Sequence, residues 1–391
     1  MRRSEDRILT THTGSLPRPH GLTALYVDRQ KGKTVDPAQI KSGGREAVRQ
    51  IVPQQARAGI DIGNDGEQTR AGFFLYLMER LSGLGVGTWE RRPRGDVERY
   101  PAFKARRNAE VTAKPAVSAR EALLVAVSDV GYVGADAVRE ECALFADVLK
   151  ENGNPFVEPF MTAPSPGIVA TALGNKHYDS MEAYLAALGK ALRTEYEAIV
   201  DHGFVLQLDC PDLGLERHVT FHEKPLAEFI AFAESVVAVI NTALENIPRD
   251  RVRLHVCWGN YEGPHDCDVP LENILPVLLR AKVGALVLPF ANGRHAHEYN
   301  LLGKYRLADD QVIVAGVIDT LGNVIEHPET IAERLVNVAR VVGDPKRVMA
   351  GTDCGFDTNA GSGRVAEDIV WAKLLSLRDG ARIASRRLFG S

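Results

Sequence analysis

From residue 130 onward the chain repeats one pattern: a short apolar run that ends in polar residues, then a stretch of helical periodicity. The runs are NPFVEPFMTA (154–163), GFVLQLDCP (203–211), RVRLHVCW (251–258), GALVLPF (284–290), QVIVAGVID (311–319) and RVMAGTDC (347–354). Amphipathic stretches follow at 179–202, 224–246, 271–282, 328–342 and 365–379. Strands that alternate with helices imply a parallel sheet, because each parallel connection needs a crossover. Two further candidates lie upstream, RILTTHTGSL (7–16) and GIDIGNDGEQ (59–68), the second after a helical stretch at 37–58. Six units and two make eight, which closes a single (β/α)8 TIM barrel of the α/β class rather than an open doubly wound sheet. Residues 84–125, rich in Arg, Gly and Pro, fit no unit. They read as an excursion between strands 2 and 3 at the barrel mouth, and the residues before the first strand as an N-terminal extension. Residues 1–391 form one domain on this reading, a length that barrels with insertions reach.

Charge narrows the partners. A formal net charge of -4 and a pI near 6.3 favour neither nucleic acid nor an anionic membrane surface. The N-terminal segment has no long apolar core, and no run approaches the roughly 18 to 20 apolar residues of a membrane helix. The expectation is a cytoplasmic protein. Its five cysteines, Cys142, Cys210, Cys257, Cys267 and Cys354, are odd in number and widely spaced. In a reducing compartment that favours free thiols or metal ligands over disulfides.

Active sites in barrels of this class lie at the C-terminal ends of the strands. His255 and Cys257 stand at such an end, two positions apart and hence on the same side of a strand. Cys354, in GTDCGF, ends the last strand and faces the same mouth. Two sulfurs and one nitrogen suit Zn2+ with one position left open for chemistry. Singly, each has a plainer reading: a hydrogen-bonded core histidine, a small buried thiol, a tight turn. Their conjunction at strand ends favours a site. Cys267 and His265, in GPHDCD, are competing ligands, while Cys142 and Cys210 read as structural.

TTHTGSLPRP (10–19), DGEQTR (65–70), QLDCP (207–211), HVC (255–257) and TDCG (352–355) together resemble the cobalamin-independent methionine synthase family, in its short homologues that carry only the catalytic barrel. The resemblance implies zinc at His255, Cys257 and Cys354, and an amino-acid thiol held by Ser15, Glu67 and Asp209, the two carboxylates taking the ammonium. It implies alkyl transfer, usually of methyl, to a small-molecule thiol such as homocysteine, with 5-methyltetrahydrofolate among the alkyl donors. Read as residues alone, Glu67 and Asp209 could instead be an ion pair with Arg70 or helix caps, and Ser15 a turn residue.

Two departures accompany the resemblance. The family's glutamate ligand after strand 6 is replaced by Pro289 or Phe290, leaving water, the thiol, or His295, His297 or Glu298 as fourth ligand. Leu321 stands where the family has an acid histidine after strand 7, so Asp319 is the catalytic candidate there, with Asn323 and Glu326 nearby. The chain is also similar to epoxyalkane:coenzyme M transferases, for which Arg18 and Arg294 would be sulfonate anchors. A non-catalytic zinc- or thiol-binding paralogue is the alternative from another class. The oligomeric state is left open, a homo-oligomer being allowed.

Overall fold

The computed structural model describes residues 1–89, 92–118 and 124–390. Among these the strands are β1 (Leu81–Val86), β2 (Leu124–Tyr132), β3 (Phe160–Pro164), β4 (Gly174–Asn175), β5 (Val205–Asp209), β6 (Val252–His255), β7 (Ala285–Pro289), β8 (Val312–Ile318) and β9 (Val348–Thr352). β3, β5, β6, β7, β8 and β9 form one six-stranded sheet in that order, each neighbouring pair parallel. Their residues are buried on both faces, which is why they read as largely apolar runs, interrupted at a few buried polar residues such as Gln207 and Arg253.

The two upstream staves close the ring. Thr11 N donates to Ala350 O (2.8 Å) and Ala350 N to Leu9 O (2.8 Å), joining the first stave to β9. Ile62 N donates to Thr10 O (3.0 Å) and Phe160 N to Gly63 O (3.0 Å), joining the second stave to the first and to β3. These staves pair only by single bridges, partly because side chains take over the ladder: Asp61 Oδ2 accepts from Thr10 N at 2.9 Å and Thr10 Oγ1 donates to Gly59 O at 2.7 Å. Residues before them are tied to the barrel base, Ser4 Oγ donating to Val348 O at 2.6 Å. Inside the ring, Leu9, Ile62, Phe160, Val205, Val287 and Val314 pack together. The alternate residues, such as Leu206, Leu254 and Leu286, meet the helices outside.

Helices follow at Pro37–Ala58, Met181–Asp201, Leu226–Ala243, Leu271–Leu278, Pro328–Val342 and Glu367–Phe389. The first is capped as its sequence dictates, Asp36 accepting from Ala38 N with Pro37 at the first turn and Gly59 closing it at φ 78°. The last runs well past 379, through Gly380. A Cβ there would lie 2.5 Å from Ile331 Cβ, so the glycine lets this helix press against Pro328–Val342. Leu226–Ala243 is long and apolar enough to cross a membrane, with mean hydropathy 1.6, contrary to the expectation that no such run exists. Here it packs Phe229, Val236 and Ile240 into the main core.

Residues 84–125 fall within a larger antiparallel hairpin of β1 and β2, whose intervening segment carries short helices Gly95–Glu98 and Pro101–Ala113. Residues 90–91 and 119–123 of that excursion lie outside the described residues. Asp96 anchors it to the barrel mouth: Oδ2 accepts from Tyr261 Oη at 2.6 Å and from His265 N at 3.0 Å, both in the loop after β6.

Candidate metal centre and its two cavities

β6 ends at His255 and β9 at Thr352, and the chain just beyond each carries a cysteine. One ligand atom from each of His255, Cys257 and Cys354 lies within 4.8 Å of the other two, and all three residues are buried. The register of β5 against β6 pairs Asp209 with His255, which brings Asp209 Oδ1 to 2.9 Å from His255 Nδ1. A carboxylate accepts, so Nδ1 carries a proton and Nε2 is the nitrogen left to face a metal, once any proton on it is displaced. Nε2 is buried and has no hydrogen-bond partner among the described residues. This is the arrangement of a metal-ligating histidine, oriented by an outer carboxylate.

The charges agree with a cation site. Burial opposes charge on His255, but Cys257 and Asp209 outweigh it and hold the imidazole up to about 10. The hydrogen bond from Cys354 holds Cys257 well below the ordinary thiol range, and the same bond pushes Cys354 well above it. Two clustered sulfurs and a free nitrogen fit a divalent metal of borderline softness. Among the described residues no fourth His, Cys, Asp or Glu joins the set. β7 ends in Pro289, His297 is exposed, and His295 and Glu298 are bound to each other at 2.6 Å.

Two cavities meet at this centre, and Cys257 and Cys354 line both. The smaller, of about 130 Å³, is also lined by Ser15, Glu67, Asp209 and His255. Glu67 sits in an uncommon left-handed backbone conformation (φ 56°), in a turn where Asp65 Oδ1 accepts from Glu67 N at 3.0 Å. Thr162 Oγ1 donates to Glu67 Oε1 at 3.0 Å, while Oε2 is buried and has no partner among the described residues. Burial and the neighbouring Asp209 push this carboxyl up to about 8. Gly14 makes room for it, since a Cβ there would lie 2.6 Å from Glu67 Oε1. Arg70 does not pair with Glu67; it takes Glu141 at 3.1 Å and Thr162 O at 2.8 Å. Ser15 Oγ accepts from Asp357 N at 3.3 Å.

The larger cavity, of about 390 Å³, is walled by Trp258, Asn260, Asn292, Asp319 and Leu321. Asp319 is less free than its sequence position implies. Its oxygens accept from Leu321 N (3.2 Å) and Gly322 N (2.8 Å), so the carboxylate is spent on the loop after β8. Arg18 is likewise spent: its buried guanidinium binds Asp357, Arg70 O and Glu67 O. Arg294 is exposed at the cavity wall.

Sequence reasoning missed a polar hub beside this cavity. Asp268 Oδ2 lies 2.9 Å from both His265 Nδ1 and His295 Nε2, and the His295 ring stacks on Trp258 at 3.7 Å. His265 and His295 are therefore occupied, and Cys267 faces Arg99 instead of the metal set. HxxD in PHDCD was the available signal. All five cysteines are free thiols, Cys142 and Cys210 buried in the core.

No family model matches the sequence. The chain is 24% identical over 380 residues to a methionine synthase of Saccharolobus islandicus, covering 97% of this chain and 95% of that one. It is 26% identical over 351 residues to a methionine synthase of Pyrococcus furiosus, covering 89% and 86%. A B12-independent methionine synthase from Shewanella, solved with selenomethionine, matches with a TM-score of 0.72 at 20% identity over 98% of this chain and 100% of that one. The chain is similar over nearly its whole length to cobalamin-independent methionine synthases and shares their fold. A second such barrel, a B12-independent methionine synthase from Listeria monocytogenes, matches with a TM-score of 0.63 at 19% identity over 97% and 98%. The methionine-synthase-like fold thus spans the chain, with His255, Cys257 and Cys354 gathered at its mouth.

Proposed function

We propose that this protein transfers a methyl group to the sulfur of homocysteine, using zinc held by His255, Cys257 and Cys354. The observation that carries the reading is the shared wall: both sulfurs border a small cavity with an unpartnered carboxylate and a larger one able to hold a donor. The sequence relatives named methionine synthase support it.

Glu67 Oε2 and Asp209 receive the substrate ammonium in the small cavity, where an ion pair replaces the repulsion between the two carboxylates. Ser15 lines the same cavity for the rest of the amino acid. His255, Cys257 and Cys354 would hold zinc, whose Lewis acidity would favour the thiolate form of the substrate at neutral pH. Trp258 and Asn260 shape the larger cavity, from which the methyl carbon reaches the sulfur as its bond to the donor breaks. The donor tested first is 5-methyltetrahydrofolate. Five free cysteines suit work in the reducing cytoplasm.

The epoxide reading needs an arginine for a sulfonate; Arg18 is bound elsewhere, which leaves only Arg294, exposed at the wall of the larger cavity, for that role. The non-catalytic reading accounts for the small cavity but gives no role to the larger one that shares both sulfurs. Zinc-loaded protein incubated with homocysteine and methyl donors, each labelled in the methyl group, should release labelled methionine. Cys354→Ser should release none. Failure with every donor, while an epoxide and a thiol are joined, would replace this reading.

A further inference from the structure

Beneath the metal set lies a charge that the reaction does not require. Arg253 precedes His255 by two positions on β6, so it points into the barrel on the same side. It is 2% exposed and forms no ion pair among the described residues. Nε donates to Gln207 Oε1 at 2.7 Å, one terminal nitrogen to Thr11 Oγ1 at 3.1 Å and the other to His12 O at 2.9 Å. The guanidinium carbon stands 3.6 Å from the Phe160 ring centroid. A buried charge without a counter-ion is costly, and an apolar side chain would fill the place more cheaply.

Gln207 shows what the charge accomplishes. With its oxygen on Arg253, its amide nitrogen must face the other way, where it donates to Thr13 O (2.6 Å) and Asp209 Oδ1 (2.7 Å). That same Oδ1 accepts from His255 Nδ1 at 2.9 Å. A flipped amide would set its oxygen against the carboxylate. We infer that Arg253 and Gln207 are positioning residues for the metal centre: through Asp209 they fix the ring so that His255 offers Nε2 to the metal. The inference rests on the proposed metal site, and its test needs no methyl donor.

Zinc affinity is measured by competition with a chromophoric chelator, alongside the thermal midpoint of the metal-free protein. Gln207→Glu keeps an acceptor for Arg253 but cannot donate to Asp209 once ionised; Gln207→Met removes both contacts at similar volume. Each should weaken zinc about 10-fold or more, the range of outer-shell losses, with the fold retained. Asp209→Asn combined with Gln207→Met should weaken zinc no further than Asp209→Asn alone, since both act through one path. Zinc affinity within about twofold of wild type in both Gln207 variants, whatever their thermal midpoints, overturns the inference and leaves a purely structural role. A wild-type protein that takes up no zinc overturns the metal reading itself, and this inference with it.

Discussion

Asp209 holds His255 from the side opposite Nε2: Oδ1 lies 2.9 Å from Nδ1, and Nε2 has no hydrogen-bond partner among the described residues. The same carboxylate borders the small cavity with Glu67, so on the proposed function it would serve both metal and substrate. Asp209→Asn should weaken zinc about 10- to 100-fold and raise the homocysteine KM as well. Chelator competition and steady-state kinetics report the two separately. Loss of only the KM effect would place Asp209 in substrate binding alone.

Glu67 makes a prediction in pH. Its carboxyl is pushed up to about 8 in the empty cavity, first by burial and then by Asp209. Below that pH an ammonium must displace the carboxyl proton, so homocysteine affinity should strengthen as pH rises toward about 8. Glu67→Gln should flatten this profile and raise KM roughly 10- to 100-fold, the value of a charged hydrogen bond. Zinc content should not change. A variant with wild-type KM contradicts the ammonium site.

Asp268 makes a prediction for stability. Burial opposes charge on His295, but Asp268 and Glu298 hold it up to about 9, and His265 is raised by Asp268 likewise. Asp268 itself is held well below the usual carboxylate range by its histidine bonds, against burial. His218 and Tyr261 also face the hub, as does Asp96 through Tyr261. A histidine pKa raised on folding stabilises fully below about 6.5 and loses that contribution as pH climbs to about 9. The Asp268 contribution is present above about 4 and lost in acid. Stability should therefore fall between pH 6.5 and 9, by on the order of 3 kcal/mol for His295, and the thermal midpoint should fall with it. Asp268→Asn should remove most of that slope; an unchanged slope contradicts the hub.

Asp319 was the catalytic candidate from sequence, yet its oxygens hold the turn at 320–322. Asp319→Asn, which cannot accept both N–H groups as the carboxylate does, should lower the thermal midpoint by a few degrees and turnover by less than about tenfold. A 1,000-fold loss of turnover at unchanged stability would restore Asp319 as an acid.

The barrel was legible because strands buried on both faces carry continuous apolar runs, as in ALVLP and VIVAGVI. The first run was read too early: 154–163 begins six residues before Phe160, and Asn154, at φ 52°, belongs to the turn that precedes it. The helix Ala135–Glu151 went unread, although Val138, Cys142, Phe145 and Leu149 mark its buried stripe. The hairpin of β1 and β2 was hidden by half-exposed, glycine-broken strands with little alternation. Cysteines at strand ends made the metal set readable. The hydrogen bonds that aim it were not, because Gln207 and Arg253, 46 positions apart, meet only when β5 and β6 pair.

Zinc K-edge X-ray absorption on the purified protein, without and then with homocysteine, tests the central claim most directly. The account predicts a shell of two sulfurs and one imidazole nitrogen, completed by a light atom, that gains one sulfur near about 2.3 Å when homocysteine is added. A shell unchanged by homocysteine, or a protein that holds no zinc, would contradict it.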